Sequence, residues 1–523
     1  MSHFKKTTLL LLLIITVGAS LRFYKLDWGQ GLFAHPDEYH IVISVNQLSF
    51  PAQMNPHFFN YGTVVIYLIY FTKLFLSSIF SQLYAVPYTL NAFLIGRFYS
   101  ALFSTLSLPI IYLIAKKFMD KKYALLATIL AALTPGLIQQ AHFLTPESAL
   151  IFFLLASLFF VLHFLQTQNT RYLPLAAVSL GLGLAVKVSA VVFLPVIFLA
   201  IIARTWPNPL HFLKLTLITF PFALIAFFLG APFVFFDFPS FWQSFQYESG
   251  LAIGKVPVFY TRQFIDTIPV LFQFEKIYPY ALGPALLVSG LTGFFLMAYS
   301  ILKPTRNRIF YLSLVTCHLS LFLTSAFLFA KWTRFSSPIF PFFAIFSAFF
   351  LFKLSALKSQ TIHYTLYAIL LIPSLLWTLA FFSIYLRDDV RVTANKWLEE
   401  NTALDATFLV EGGNTVDVPL YRGQKLSLDF YQFESNPVWQ EAVYNGLISS
   451  DYFIVESRRV FANHQRLPKL FPRTAAFYDD LFSGKSGFKE IKRFTSYPLF
   501  PDENAEETWS VFDHPVIRIF KKI

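Results

Sequence analysis

Long apolar runs dominate the first three quarters of the chain and are separated by short charged segments. A helix needs roughly 17–25 apolar residues to cross a bilayer. Runs of this kind begin near Lys6, Asn91, Lys122, Ser148, Tyr172, Val188, Leu213, Ala281, Ile309, Ser337 and Tyr364. Another apolar run, residues 61–80, is ambiguous. The pattern predicts a mainly α, polytopic membrane helical bundle of about 11–12 transmembrane helices.

The pattern changes near residue 385. Beyond that point charged residues are frequent and the apolar runs are short. Residues 392–400 have the periodicity of an amphipathic helix, and three short segments have that of strands, namely 407–411, 452–456 and 516–520. We therefore expect a transmembrane domain over residues 1–385 and a small C-terminal α/β domain over residues 386–523.

Composition supports the bilayer as the main solvent of this protein. Of the 523 residues, 56% are hydrophobic and only 13% are charged, whereas soluble proteins carry about 25% charged residues. The net charge of +12 comes from Lys and Arg in short loops between apolar runs, so it sets membrane topology and does not indicate nucleic acid. Cys317 is the only cysteine, which excludes a disulfide within the chain.

The positions of the positive charges predict the orientation. Lys5 and Lys6 place the N-terminus in the cytoplasm, and the lysines at residues 116–122 are also expected inside. With 11 spans, these loops alternate and the domain from residue 386 lies outside the plasma membrane. Only two crossings then fit before residue 116, so residues 61–80 are expected to lie along the outer interface or to re-enter.

Two acidic helix starts fall in the predicted outer loops. Pro36 precedes Asp37 and Glu38, and Pro146 precedes Glu147, which follows His142 by five residues. Proline suits the first turn of a helix, and a carboxylate is stabilised there by the helix dipole. The plainer explanation of each is a helix start without chemistry. Two such starts on one face could together hold an acceptor, a sugar or a metal ion.

Four cations face outward without a topological purpose: Arg97, Lys187, Lys331 and Arg334. Ionisable groups within membrane spans are costly and tend to mark function. Arg binds phosphate oxygens in a bidentate manner, and Lys offers a point charge. The alternative is that these side chains extend to lipid headgroups. As a group they indicate an anionic ligand.

Acidic and basic groups on the outer face fit sugar transfer from a lipid carrier. A sugar transferase acting there needs a carrier such as a polyprenyl phosphate, whose leaving group is a lipid phosphate. Cations stabilise the charge on that phosphate, and a carboxylate deprotonates the acceptor. Single displacement needs one base and inverts the anomeric centre, whereas a retaining hydrolase needs two carboxylates about 5 Å apart. Asp37 and Glu38 are adjacent and point in different directions on a helix.

These motifs resemble the GT-C superfamily, specifically glycosyltransferase family 39, which includes protein O-mannosyltransferases and lipid A aminoarabinose transferases. In chain order the resembling segments are Leu21-Arg22-Phe23-Tyr24 with His35-Pro36-Asp37-Glu38, Gly96-Arg97-Phe98-Tyr99-Ser100, Thr145-Pro146-Glu147, Gly183-Leu184-Ala185-Val186-Lys187, the loop 231–254 and Trp332-Thr333-Arg334-Phe335. The resemblance implies that Asp37 is the catalytic base and that Glu38 assists it.

The remaining site residues follow from the same resemblance and from the charges above. Those expected to bind substrate are Glu147, His142, Lys187, Arg334, Arg97, Lys331 and Glu248. The family more often has Asp where this chain has Glu147, which leaves the role of that carboxylate open. No metal triad stands out, so a divalent metal is unsupported and no cofactor is assigned. The expected partners are a polyprenyl-phosphate sugar donor, a protein, lipid or glycan acceptor, and membrane lipids.

Two other classes of function stay open at this stage. A multi-pass transporter or lipid flippase would show internal repeats and charges near the bilayer midplane, whereas here the charges gather near one face and no repeat is evident. A receptor or assembly protein would bind its partner through the C-terminal domain and would not need Asp37. Neither the sugar nor the acceptor can be identified from the sequence.

Overall fold

The computed structural model describes residues 3–84, 91–355, 359–412, 416–496 and 501–523; the side chains of residues 3–5 and 83–84, Lys5 among them, lie outside this description. The chain separates into two units. The membrane unit comprises Met1–Leu26, Asp37–Lys255 and Ile268–Leu379. The C-terminal unit comprises Asp27–Pro36, Val256–Thr267 and Ala380–Ile523.

The membrane unit is helical. Its helices are α1 (His3–Phe23), α2 (Pro36–Gln47), α3 (Val64–Tyr84), α4 (Ala92–Ala115), α5 (Lys121–Ala132), α6 (Pro135–His142), α7 (Glu147–Thr167), α8 (Tyr172–Val186), α9 (Leu194–Thr205), α10 (Pro209–Gly230), α11 (Phe233–Phe236), α12 (Phe238–Ala252), α13 (Tyr278–Ala281), α14 (Pro284–Ile301), α15 (Arg308–Ala326), α16 (Thr333–Ser336), α17 (Phe340–Leu354) and α18 (Gln360–Phe382, whose last residues belong to the C-terminal unit).

The described residues contain ten helical segments long and apolar enough to cross a membrane, or eleven if the bent pair α5–α6 counts as one span. This confirms the polytopic helical bundle. Two details differ from the sequence prediction. Tyr172–Val186 is a shorter apolar helix that misses the length of a span. Val64–Gln82 is long and apolar enough to span, so the interfacial or re-entrant position expected for residues 61–80 loses its support. The orientation argument that allowed only two crossings before residue 116 loses its support for the same reason.

The bend between α5 and α6 follows from local chemistry. The two helices meet at 52°, and Pro135 opens α6, where it cannot continue the hydrogen bonds of α5. The last carbonyl groups of α5 need other donors. The buried Arg22 of α1 supplies them by donating to the carbonyls of Ala131 and Ala132, each at 3.1 Å. The break is therefore held by α1 and is a fixed feature of the bundle.

The C-terminal unit is an α/β domain, as expected. Its strands β1 (Thr407–Gly412), β2 (Gln424–Asp429), β3 (Tyr452–Val455), β4 (Phe488–Phe494) and β5 (Ile517–Lys522) form one sheet in the order β2-β1-β3-β5-β4. Strands β2, β1 and β3 are parallel, and β5 and β4 join antiparallel. The helices are α19 (Val390–Asn401), α20 (Pro437–Ser449), α21 (Phe461–Arg466), α22 (Pro472–Ser483) and α23 (Glu507–Val511). The sequence prediction missed β2 and β4, whose exposed positions weaken their apolar pattern.

Two short segments from earlier in the chain belong to the C-terminal unit. In Asp27–Pro36, the buried Trp28 packs edge-on against Tyr385 at 5.6 Å, and the ring of His35 lies 4.4 Å from that of Phe512. In Val256–Thr267, the guanidinium of Arg466 donates to three successive loop carbonyls, those of Arg262, Gln263 and Ile265. A division at residue 385 leaves out these two segments.

Candidate active site

The acidic start of α2 carries the two carboxylates that the sequence proposed for catalysis. Pro36 opens the helix, and Asp37 and Glu38 occupy its first turn, where the helix dipole favours negative charge. Consecutive residues on a helix point about 100° apart. As a result, the two carboxylates have entirely different surroundings.

Asp37 forms an ion pair with Arg334, which precedes α17. The hydroxyl of Tyr61 donates to the same Asp37 oxygen, Oδ2, at 2.6 Å. One Arg334 nitrogen, Nη1, also donates to the Tyr61 oxygen at 3.0 Å, which closes a three-membered network. The Asp37 and Arg334 side chains remain 12% and 21% exposed, so both can be reached by a ligand.

Glu38 is sealed inside the membrane unit. Its carboxylate receives Nε and Nη2 of Arg97 at 2.7 and 3.0 Å, and the backbone N–H of Leu144 at 2.9 Å. Both side chains of the pair are 0% exposed. Arg97 also donates to the carbonyl of Leu26 at 2.6 Å. This geometry disagrees with substrate contact by Glu38 and Arg97, because neither group reaches a surface open to a ligand.

Glu147 and Lys187 form a second ion pair, in which only the lysine is partly exposed. The Lys187 Nζ lies 2.8 Å from Glu147 Oε1, and the two side chains are 14% and 0% exposed, respectively. The other Glu147 oxygen, Oε2, is buried without a hydrogen-bond partner. The lysine ammonium also lies over the rings of Tyr61, at 5.4 Å, and Phe335, at 5.0 Å. Lys187 therefore joins Glu147 to the network of Asp37.

We call Asp37, Tyr61, Glu147, Lys187 and Arg334 the Asp37 cluster. Its members come from the start of α2, the loop before α3, the start of α7, the end of α8 and the short helix α16. It holds two carboxylates and two cations, so its formal charge is zero. Burial, together with the nearby charges of Asp37 and Glu147, holds the pKa of Tyr61 well above its usual range, although Arg334 opposes the shift.

Glu248 of α12 lies near this cluster. It accepts a hydrogen bond from the Asn60 amide at 2.6 Å. Burial raises the pKa of Glu248, while the charges of Arg334 and Lys187 act in the opposite direction and that of Asp37 adds to it. These charge effects indicate that Glu248 faces the same region as the cluster.

The two remaining candidates do not join the cluster through the contacts that the structure gives them. His142 is fully buried, and its ring nitrogens lie 2.9 Å from the Ile138 carbonyl and 3.2 Å from the Tyr24 carbonyl. Lys331 is buried and donates to the carbonyl of Phe329 at 2.9 Å. Burial also lowers the pKa of the Lys331 ammonium. Both side chains bind backbone carbonyls, and their contact with substrate stays a prediction.

The donor set of the cluster does not suit a divalent metal. Within the described ranges, no group of three or more His, Cys, Asp or Glu side chains is placed to hold a metal ion. The two cluster carboxylates are each neutralised by a cation, whereas hard cations such as Mg²⁺ and Ca²⁺ require several oxygen ligands. We therefore derive no step through a metal.

Sequence reasoning missed Tyr61 and Asn60 as site residues. The apolar pattern places Tyr61 only at the start of the ambiguous run 61–80 and gives no role to Asn60. The available signal was their place in a predicted outer loop directly before an apolar run. No spacing rule connects them to Asp37 or Glu248, because both contacts are tertiary.

The chain resembles known proteins at two levels. Residues 64–232 match the sequence profile of a family described as dolichyl-phosphate-mannose-protein mannosyltransferase. No curated protein matches the sequence of this chain.

Solved structures share the fold at low sequence identity. The apo oligosaccharyltransferase of Archaeoglobus fulgidus aligns with a TM-score of 0.56 and 14% identity over 89% of this chain and 71% of that one. The oligosaccharyltransferase AglB of the same organism, in complex with an inhibitory peptide and a dolichol-phosphate, aligns with a TM-score of 0.57 and 13% identity. That alignment covers 92% of this chain and 73% of AglB. ArnT from Cupriavidus metallidurans, bound to undecaprenyl phosphate, aligns with a TM-score of 0.48 and 12% identity over 99% of this chain and 98% of ArnT.

The two archaeal alignments establish the fold, and the profile match shows that residues 64–232 are similar to a mannosyltransferase family. Both agree with the family resemblance of the sequence motifs. The chain is thus a multi-pass membrane protein with the fold of these oligosaccharyltransferases, and a third of its sequence is similar to a mannosyltransferase family.

Proposed function

We propose that this chain transfers a sugar from a polyprenyl-phosphate donor to an acceptor on the extracytoplasmic face of the plasma membrane, with inversion of the anomeric centre. One observation carries the proposal: two carboxylates and two cations from distant stretches of the chain meet in the Asp37 cluster. The family described for residues 64–232 uses dolichyl-phosphate mannose, and AglB was solved with a dolichol-phosphate. Both support a lipid-phosphate donor for this chain.

The reaction is a single displacement. The hydroxyl or amine of the acceptor attacks the anomeric carbon, and the bond from that carbon to the phosphate oxygen breaks with its electron pair on the phosphate. Asp37 receives the acceptor proton as the general base. Arg334 and Lys187 bind the phosphate oxygens and stabilise the charge that the leaving group carries. The products are the glycosylated acceptor and the polyprenyl phosphate.

Accessibility divides the supporting roles. Glu147 orients Lys187, whose side chain is partly exposed, and Glu248 contacts sugar or acceptor from α12. Glu38 and Arg97 hold the start of α2 in place, since neither side chain is exposed. His142 contacts backbone carbonyls of its own helix and of Tyr24, and Lys331 binds the backbone of its own segment.

The topology completes the proposal. The lysines near the N-terminus support a cytoplasmic N-terminus, and the start of α2, which follows the single span α1, then lies outside the membrane. We place the α/β domain of residues 386–523 on the same side. Nucleotide sugars are generally absent on that side, so the carrier brings the sugar to the cluster. The acceptor is a protein, lipid or glycan that the extracytoplasmic face presents.

The test uses the full chain in lipid nanodiscs with a panel of polyprenyl-phosphate sugars, and product masses measured by mass spectrometry. The wild type is expected to yield both a glycosylated acceptor and free polyprenyl phosphate. Asp37→Asn is expected to lower turnover about 10³-fold, the usual range for loss of a general base. Asp120→Asn is the matched control, because Asp120 also precedes a helix but its side chain makes no capping hydrogen bond.

Normal turnover by Asp37→Asn would remove the base from the mechanism. Transport of the donor in proteoliposomes, without any covalent product, would replace the transferase proposal with a transporter.

A further inference from the structure

Tyr61 links the proposed base to the proposed phosphate-binding cation. We infer that Tyr61 is a positioning residue that keeps the Asp37 carboxylate ionised and oriented while Arg334 engages the donor phosphate. This inference rests on the proposed function and adds to it a residue that neither the motifs nor the family match assigns. It stands on two contacts: the Tyr61 hydroxyl donates to Asp37 at 2.6 Å and accepts from Arg334 at 3.0 Å.

The hydroxyl can serve both neighbours because of its chemistry. A tyrosine hydroxyl has one proton to donate and lone pairs to accept. Here the proton goes to the carboxylate and a lone pair receives the guanidinium N–H. The pKa of Tyr61 is held well above its usual range, first by burial and then by Asp37 and Glu147, so the phenol stays protonated and remains a donor.

The surrounding backbone fixes the ring. The N–H of Gly62 donates to the Val186 carbonyl at 3.0 Å, and the Thr63 hydroxyl donates to the Gly230 carbonyl at 2.7 Å. A Cβ atom on Gly62 would stand 1.9 Å from the carbonyl oxygen of Ala185, so only glycine permits this approach. The ring also packs edge-on against Phe58 at 5.8 Å. Tyr61 is therefore held against the end of α8, next to Lys187.

This arrangement matters because Arg334 has two tasks. In the structure its guanidinium neutralises Asp37, yet in the proposed reaction it binds the donor phosphate. As Arg334 shifts its donors to phosphate, Asp37 loses part of the positive charge that keeps it ionised. The Tyr61 hydroxyl remains on the carboxylate and stabilises the anion, because hydrogen bonds to the charged form lower the pKa of a carboxyl group.

Several other charged groups act on the same region. Glu147 from α7 and Glu248 from α12 exchange electrostatic effects with both Asp37 and Arg334, and Lys187 at the end of α8 acts on both of these glutamates. Glu38, the neighbour of Asp37 on α2, is neutralised by Arg97. The experiment must therefore separate the titration of Asp37 from that of Glu248, whose pKa is raised by burial.

The experiment compares Tyr61→Phe with the wild type by measuring kcat/KM for the acceptor across pH at saturating donor. Removal of the hydroxyl is expected to move the acid limb of the profile upward by about one pH unit, since Asp37 loses a stabilising donor. The plateau at higher pH is retained. Tyr67→Phe is the matched control, because its hydroxyl donates to the Met54 carbonyl at 3.0 Å and should leave the limb in place.

The Glu248→Gln background shows whether the acid limb of the pH profile reports the titration of Asp37 or of Glu248. If the same upward shift occurs when Tyr61→Phe is placed in that background, the limb belongs to Asp37. If the shift disappears there, the limb belongs to Glu248 and the inference is overturned. An unchanged limb in Tyr61→Phe, with or without a lower plateau, also overturns it.

A second variant keeps the proposal testable if the Phe variant does not fold. Replacement of Tyr61 by 3-fluorotyrosine retains the ring and makes the hydroxyl a stronger donor, so the limb should move to lower pH. No movement would contradict the inference. Activity retained in Asp37→Asn would instead refute the proposed function itself, which makes the two failures distinguishable.

Discussion

Asp37 and Glu38 are neighbours in the sequence, carry the same charge and each pair with an arginine, yet their surroundings differ. The Asp37–Arg334 pair is partly exposed and shares its carboxylate with Tyr61. The Glu38–Arg97 pair is fully buried, bidentate and completed by the N–H of Leu144. One pair is available to a ligand and the other is closed.

The difference teaches that, of two adjacent acidic residues at a helix start, one can face a ligand while the other anchors the helix. A buried ion pair with its hydrogen bonds complete is difficult to rearrange, because removal of one partner leaves an uncompensated charge. An exposed pair is weaker and can exchange its partner for a ligand. Glu38 can thus fix the helix on which Asp37 has to exchange partners.

The most severe test of this comparison removes each carboxylate in turn. Glu38→Gln should destabilise the protein by about 3–5 kcal/mol, since Arg97 stays buried without its counter-charge. Asp37→Asn should cost no more than about 1 kcal/mol, because Arg334 can still reach water. Denaturation of both variants in the same detergent measures the difference. Equal losses of stability would end the distinction between the two pairs.

In the C-terminal unit an arginine contacts a neutral histidine instead of a carboxylate, which extends the comparison of the two arginine pairs. Arg262 lies 2.6 Å from Nε2 of His464, whose Nδ1 lies 2.6 Å from the Val460 carbonyl. Burial is the main cause that lowers the pKa of His464 to about 4. Since the unfolded histidine titrates near 6.5, the unfolded state binds more protons between these values, and stability falls as pH falls through this window.

Acidification from pH 7 to pH 5 should therefore lower the contribution of His464 to the stability of the C-terminal unit by about 2 kcal/mol. Hydrogen–deuterium exchange of the full chain would show faster exchange in α21 at pH 5, after correction for intrinsic rates. His464→Gln, which keeps an acceptor for Arg262, should remove most of this dependence. The same pH dependence in the wild type and in His464→Gln would contradict the shifted pKa.

A third prediction concerns ligand binding by the exposed pair. In Asp37→Asn the guanidinium of Arg334 loses its competing carboxylate, so free polyprenyl phosphate should bind about tenfold more tightly, or about 1.4 kcal/mol. Titration calorimetry in nanodiscs measures the affinity. Asp120→Asn supplies the control and should match the wild type. Weaker binding by Asp37→Asn would mean that the carboxylate supports the phosphate site and does not compete with it.

The smallest expected effect falls on Glu147. Glu147→Gln also releases a cation, Lys187, but the lysine keeps its contacts with the rings of Tyr61 and Phe335. We expect about a threefold gain in affinity for polyprenyl phosphate, roughly 0.7 kcal/mol. The double variant with Asp37→Asn should show a combined gain that departs from additivity, because both carboxylates act on the same charges.

The sequence allowed much of the fold and part of the site to be predicted. Apolar length identified most of the helices, since the bilayer imposes it, and the shift in composition near residue 385 indicated the α/β domain. The sequence also indicated Asp37, Glu147, Lys187 and Arg334 as candidates, because charged groups near membrane helices are costly and tend to mark function.

Pairing could not be predicted in the same way. Which carboxylate receives which cation depends on the packing of helices far apart in the chain, as Arg97 with Glu38 shows. The role of Tyr61 depends on the close approach at Gly62, which leaves no periodic trace. The break between α5 and α6 depends on Arg22, whose partners lie more than a hundred residues away.

The short segment Asp27–Pro36 has a consequence for modular engineering of this chain. A protein cut after residue 385 would keep His35 but lose the Phe512 ring against which His35 packs. The α/β unit therefore includes residues that lie before such a cut. Any chimera that exchanges it with a relative has to carry over residues 27–36 and 256–267 as part of the same graft.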